Sequence, residues 1–249
     1  MNKQQYIYKI IFKKITFINL KLIDFKKIIK NYGLFLFPSG PGLATIHENE
    51  LYYQSLKKAD YVFLDSGYFV LILKFFKKIN VTRFSGYKFL NHFFKHIKKN
   101  KEISIFCIDP NLVHLKANLK FLNSLGIKNI QNYVAPKYNK YNVKDKTLLK
   151  KINHQKPRYV IINLGGGTQE ILGSFLIKNL KFKTSILCTG GAISFFTKLQ
   201  APINPIIDKF YLGWLMRILF DPKTFLVRYL NSFKLIKLVI GTKIQLIYK

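Results

Sequence analysis

The sequence predicts an α/β protein: a Rossmann-like, mostly parallel sheet flanked by helices, continued by a C-terminal helical appendage. Three observations predict it. Short apolar runs alternate with longer amphipathic segments, the pattern of βαβ units whose strands are buried on both faces. Glycine or polar punctuation follows the apolar runs at Ser39-Gly40, Asp65-Ser66-Gly67, Gly165–Gly167 and Gly190-Gly191. Near Ala201 the character changes to proline-punctuated, basic and aromatic sequence. The division that follows is an α/β core over 1–200 and a basic, aromatic appendage over 201–249. No internal repeat or Ser/Gly linker separates them.

Taken in order, LFLF (34–37) reads as a strand and ATIHENELYYQSLKKA (44–59) as a helix. YVFLD (61–65) is a strand, followed by a short helix near 68–78. ISIFCI (103–108) is a strand, and 111–126 is a helix closed by Gly126. A short strand at 128–133 leads into a polar Lys/Asn/Tyr loop over 136–146. A helix over 145–154 precedes the strand RYVIINL (158–164), and a helix from Thr168 to Leu180 leads to the strand TSILCT (184–189). In the last part, IIDKFYLGWLMRILF and KTFLVRYLNSFKLIKLVI read as two helical segments interrupted by Asp221-Pro222.

Composition sets limits on function. The chain has 249 residues and 49% hydrophobic content, enough for a large core and too much for a disordered chain. Its net charge of +31 comes from 42 Lys and Arg against 11 Asp and Glu, with only four arginines: Arg83, Arg158, Arg217 and Arg228. Abundant lysine beside abundant Ile, Asn, Tyr and Phe reads mainly as a solvated lysine surface that also attracts anions. Without a recognised module or an aromatic stacking platform, the charge argues only weakly for nucleic-acid binding. Arginines kept in such a lysine-rich chain are the better anion-ligand candidates, because their planar fork grips phosphate. Cys107 and Cys188 each sit in an apolar run and read as buried strand residues. No CxxC or HExxH spacing suggests a metal site. The basic N-terminal segment lacks a small-residue cleavage site and reads as no signal peptide. The longest apolar stretch, Tyr61–Phe76, is interrupted by Asp65 and Lys74, so a cytoplasmic protein with no transmembrane helix is expected.

The candidate chemistry lies in the punctuation. Asp65 ends a strand, where a carboxylate faces the cleft as a general base or caps the next helix. Arg83 stands before a turn, as a surface residue or a phosphate ligand. In LGGGTQE (164–170) the helix start offers backbone N–H groups to a phosphate. The dinucleotide fingerprint fails there, because Glu170 occupies its third glycine, and the P-loop fails because no Lys-Ser/Thr follows. Gln169 and Glu170 remain as polar first-turn residues that also suit the helix dipole. Arg217 and Arg228 occur with Trp214, Phe220, Phe225 and Tyr229, either in a helical pair packed on the core or in a basic interfacial element closing over a diphosphate.

As a set, ADYVFLDSG (59–67), TRFSGYKFL (82–90), NLGGGTQE (163–170) and the block over 190–230 resemble the WecG/TagA/CpsF glycosyltransferases of bacterial surface-polymer synthesis. The resemblance implies an inverting enzyme, a hexosyltransferase, that moves a hexose or N-acetylhexosamine from a UDP-sugar to an undecaprenyl-diphosphate-linked sugar. It implies work at the inner face of the membrane as a peripheral protein in exopolysaccharide synthesis, with no bound metal and no cofactor. Asp65 falls on the family's presumed base, and Ser39, Arg83, Gln169, Glu170, Gly190, Arg217 and Arg228 fall on its substrate-binding positions. Lys223 would help the arginines neutralise the leaving diphosphate. The appendage would hold the protein to anionic membrane, while the oligomeric state stays open, a homo-oligomer included.

The chain departs from the family pattern in several places. Phe37-Pro38-Ser39 stands for Thr-x-Asn, Asp65-Ser66 for Asp-Gly, and Asp109-Pro110 for a glycine pair. Ala135-Pro136-Lys137 stands for a GYF turn, Gly167-Thr168-Gln169 for PxQ, and Gly213-Trp214 for Glu-Trp. The donor sugar is therefore open, and a catalytically idle membrane-associated relative is the alternative.

Overall fold

A computed structural model describes residues 6–98, 102–139, 142–200, 211, 215, 218–219 and 221–249, except for the side chains of Thr224, Phe225 and Arg228. These residues build a nine-stranded mixed sheet. Its strands are β1 (Ile7–Phe12), β2 (Ile15–Ile18), β3 (Gly33–Leu36), β4 (Tyr61–Phe63), β5 (Ile105–Asp109), β6 (Ile130–Val134), β7 (Tyr159–Ile162), β8 (Ser185–Cys188) and β9 (Gln245–Tyr248). They lie in the order β6-β5-β7-β8-β3-β4-β2-β1-β9. Every pairing from β6 across to β2 is parallel, whereas β1 pairs antiparallel with β2 and β9.

The helices are α1 (Phe25–Ile28), α2 (Gly40–Ala44), α3 (Glu50–Lys58), α4 (Gly67–Lys77), α5 (Gly86–Ile97), α6 (Leu112–Ser124), α7 (Lys146–Gln155), α8 (Thr168–Asn179), α9 (Pro222–Asn231) and α10 (Lys234–Ile240). The central strands β3, β5, β7 and β8 are buried at every residue, as a sheet covered on both faces requires. Alternate residues feed two cores. Leu34, Leu36, Val62, Ile108, Val160 and Ile186 enter one. Phe35, Phe37, Phe63, Cys107, Ile161 and Leu187 enter the other. The second core is aromatic: Phe63 stacks on Phe37 with centroids 4.7 Å apart, and Phe89 of α5 meets both rings. Phe37 thus serves packing, not the cleft.

The helix expected over 44–59 forms only as α3, because α2 ends at Ala44 and a 3-10 turn over Ile46–Glu48 lies between them. Ser39 caps α2, with Pro41 in its first turn, and Asn49 caps α3 by accepting from the Tyr52 N–H at 3.1 Å. The N-terminal β1–β2 hairpin and the C-terminal β9 lie outside the elements that the sequence predicts. The hairpin turns at Lys13 and Lys14, both in the left-handed region at φ 50° and 59°. The C-terminal part of the chain returns to the core, because Leu235 and Val239 of α10 are fully buried beside α2 and α4, and β9 extends the sheet beyond β1. No helix among the described residues is long and apolar enough to cross a membrane. The first helical segment expected after Pro205 lies largely outside the described residues.

Candidate active site

All the parallel strands end on one edge of the sheet, where ligand sites of α/β folds gather. Ser39 follows β3, Asp65 follows β4, Gly165–Gly167 follow β7, and Thr189-Gly190 follow β8. Ser39, Asp65, Gln169, Glu170 and Gly190, which follow these strands, therefore share this edge.

Asp65 is held from two directions. Its Oδ1 accepts from the Gly86 N–H at 2.8 Å, the first amide of α5. Its backbone carbonyl accepts from Arg83 Nε at 2.7 Å. Arg83 reaches this place because the Phe84 N–H pairs with the Leu64 carbonyl at 3.0 Å and draws the segment along the end of β4. Ser85 caps α5 by accepting from the Lys88 N–H, which fixes the helix start that faces Asp65. A carboxylate and a guanidinium are thereby brought together, although they stand eighteen positions apart in the sequence.

Ser66 caps α4 through the Phe69 N–H at 3.1 Å. Ser39 caps α2 through the Gly42 N–H at 3.4 Å, and its Oγ lies 3.8 Å from where a Cβ on Gly166 would stand. The glycine-rich turn after β7 is thus close to the end of β3. At Gly67 a Cβ would lie 2.6 Å from the Cβ of Tyr211, so only glycine lets the chain beyond residue 200 approach the Asp65 turn this closely.

Gln169 and Glu170 do more structural work than their sequence suggests. Gln169 Oε1 accepts from the Gly190 N–H at 2.7 Å, tying the turn after β7 to the turn after β8. Its Nε2 donates to Glu170 Oε1 at 3.0 Å. Glu170 Oε2 in turn accepts from the Gly167 N–H at 2.6 Å. That amide, offered by the sequence as a phosphate donor, is taken by a side chain of its own helix. Gly167 adopts φ 91°, which favours glycine at this turn. Burial pushes the Glu170 carboxyl up to about 7, against the opposing pull of the Gly167 N–H and the Gln169 amide; the Asp65 charge adds to the rise.

Tyr52 is a member of the site that sequence reasoning missed. It is buried on α3, its hydroxyl 2.6 Å from where a Cβ on Gly42 would be. Burial pushes this hydroxyl well above its ordinary range, and Glu170 and Asp65 push it further. A tyrosine on an amphipathic helix carries no signal that would have singled it out.

Arg217 lies outside the described residues, as do Trp214 and Phe220 and the side chains of Arg228 and Phe225. Lys223 is exposed in the first turn of α9. Cys107 and Cys188 are buried and unpaired with each other. Among the described residues no group of three or more His, Cys, Asp or Glu side chains could hold a metal ion.

Residues 12–247 match the glycosyl transferase WecG/TagA/CpsF family. No curated protein matches the chain.

Proposed function

Since the chain belongs to the WecG/TagA/CpsF glycosyltransferase family, whose work is surface-polysaccharide synthesis, we propose that it is an inverting hexosyltransferase using a UDP-sugar donor. The donor would give up a hexose or N-acetylhexosamine, and the acceptor would be a sugar on polyprenyl diphosphate.

The observation that carries this reading is the placement of Asp65. Its carboxyl stands at the carboxyl end of β4, oriented by the first amide of α5, with Arg83 bound to its own backbone. In the proposed step Asp65 takes the proton of an acceptor hydroxyl. The hydroxyl oxygen bonds to the anomeric carbon from the face opposite the nucleotide. The carbon–oxygen bond to the diphosphate breaks, and UDP leaves with the electron pair. Cationic side chains would stabilise the charge that develops on the diphosphate, a role given on chemical grounds to Arg217, Arg228 and Lys223, with Arg83 near the base. Ser39, Gln169, Glu170 and Gly190 shape the donor side. Gln169 and Glu170 act by holding the two glycine turns, since their polar atoms are bonded within the protein. The reaction written this way uses no metal and no cofactor.

The reading places the protein peripherally on the inner face of the membrane, and exposed apolar residues on three helices fit contact with a lipid surface. They are Phe75 and Phe76 of α4, Val227 and Leu230 of α9, and Phe233 and Ile240 next to or on α10. Lys74, Lys77, Lys234 and Lys237 lie on α4 and α10 and would meet anionic headgroups.

A panel of nucleoside diphosphates and UDP-sugars tested for thermal stabilisation checks the donor class, because a ligand of the folded state raises the melting temperature by mass action. Stabilisation by UDP and a UDP-sugar supports the reading. Stabilisation by other nucleotides alone would overturn it.

A further inference from the structure

Three buried polar side chains meet just inside the active-site edge, at the ends of β5 and β7. Asp109 is 1% exposed, Asn118 of α6 0% and Asn163 5%. Asp109 Oδ1 accepts from Asn118 Nδ2 and from Asn163 Nδ2, each at 2.7 Å. These two bonds orient both amides. They leave Asp109 Oδ2, Asn118 Oδ1 and Asn163 Oδ1 buried without a hydrogen-bond partner. All three are acceptors, and buried acceptors without donors are costly and rare. Burial pushes the Asp109 carboxyl up, against the two amides and the nearby His114, which pull it down. The cluster therefore calls for a group that donates hydrogen bonds.

Its position narrows the choice. Asn163 stands two residues before Gly165, so the cluster adjoins the glycine turn. β5 and β4 are separated by β7, β8 and β3. Four interstrand steps of about 4.8 Å place their ends on the order of 19 Å apart. An extended nucleoside diphosphate sugar covers roughly 11 Å from its anomeric carbon to its ribose hydroxyls, and the acceptor oxygen between Asp65 and that carbon, with a hydrogen bond at each end, brings the reach to about this separation, the diphosphate crossing the glycine turn. A phosphate would be repelled by Asp109. A uracil edge would bring a single N–H donor flanked by two carbonyl oxygens that would face acceptors. A ribose cis-diol brings two O–H donors.

We propose that Asp109, oriented by Asn118 and Asn163, accepts the ribose hydroxyls of the donor nucleotide and selects ribonucleotides over deoxyribonucleotides. This rests on the UDP-sugar reading given above. Asp109-Pro110 stands where the resemblance led one to expect a glycine pair, so the contact would belong to this chain's own sequence.

The test is calorimetric binding of UDP and 2′,3′-dideoxy-UDP to the wild-type chain, to Asp109→Asn and to Asn163→Ala, with melting curves to establish folding. The wild type should prefer UDP by on the order of tenfold or more, the usual weight of hydrogen bonds to a charged acceptor. A folded variant should lose most of that preference while still binding the dideoxy nucleotide. Equal binding of both nucleotides by the wild type would overturn the proposal, as would a folded Asp109→Asn that keeps the full preference. If neither variant folds, the wild-type ratio decides alone. Failure of the wild type to bind either nucleotide would instead bring down the UDP-sugar reading, and this inference with it.

Discussion

The Gly86 N–H donates to Asp65 Oδ1 at 2.8 Å, so the start of α5 holds the carboxyl on which the proposed chemistry turns. Gly86 is the first residue of α5, a position where proline is tolerated, and Ser85 before it is already extended at φ −74° and ψ 157°. Gly86→Pro therefore deletes the donor and puts its Cδ where the Asp65 carboxyl now stands, displacing that carboxyl with little disturbance of the helix. A Cβ there would stand 3.3 Å from the Thr189 carbonyl oxygen, a tight but limited contact. Steady-state assays should show turnover lowered by roughly 10- to 100-fold, the range associated with misplacing a catalytic group, with a far smaller effect on donor binding. Unchanged turnover would show that this bond does not position Asp65.

The contact between Gly67 and Tyr211 ties the chain beyond residue 200 to the Asp65 turn. Gly67→Ala places a methyl group where the Tyr211 Cβ stands, 2.6 Å away. Overpacking of this kind costs about 1–3 kcal/mol. Thermal or urea denaturation should register that loss, and Tyr211→Gly in the same chain should recover part of it. No loss would mean that the segment yields without cost.

The Gln169 brace between the two glycine turns is predicted to matter for binding more than for turnover. Gln169→Ala leaves the Gly190 N–H and a Glu170 oxygen without their side-chain partner. An unmet buried donor or acceptor costs about 1–3 kcal/mol. The expected signature is a lower melting temperature with a raised KM for the donor. A fall in kcat with KM unchanged would point instead to a direct part in the transition state.

Glu170 makes stability depend on pH in a definite sense. Burial lifts its carboxyl from 4.5 to about 7 in the folded chain. Between those two values the folded state holds the proton more tightly than the unfolded state, so stability falls as pH rises through the window and levels off above it. A shift of this size corresponds to at most about 3 kcal/mol. Melting temperatures measured from pH 4.5 to 8 should decline for the wild type and decline less for Glu170→Gln. Parallel curves would rule out Glu170 as the titrating group.

Much of this architecture is legible in the residues. Continuous apolar runs such as Leu34–Phe37 and Tyr159–Ile162 announce strands covered on both faces. The polar and glycine residues that end those runs stand at the carboxyl edge of the sheet. The hairpin is not legible, because lysines interrupt its apolar pattern and Lys13-Lys14 holds a turn that usually shows itself by Asn-Gly. β9, at four residues, is too short to stand out beside the helices before it. Asp65 and Arg83 could be named from sequence, but their pairing arises only when Phe84 docks on Leu64. Tyr52 and the Asp109–Asn118–Asn163 cluster were hidden for a related reason: their character comes from burial among residues distant in sequence.

The account turns on Asp65 as the proton acceptor in sugar transfer. The direct measurement is transfer from the UDP-sugar that stabilises the protein to a short-chain prenyl-diphosphate sugar, alongside UDP affinity, for the wild type and Asp65→Asn. The account predicts that turnover falls by at least about 100-fold, within the usual weight of a general base, while UDP affinity stays close to the wild-type value. Transfer by Asp65→Asn at near the wild-type rate would contradict it.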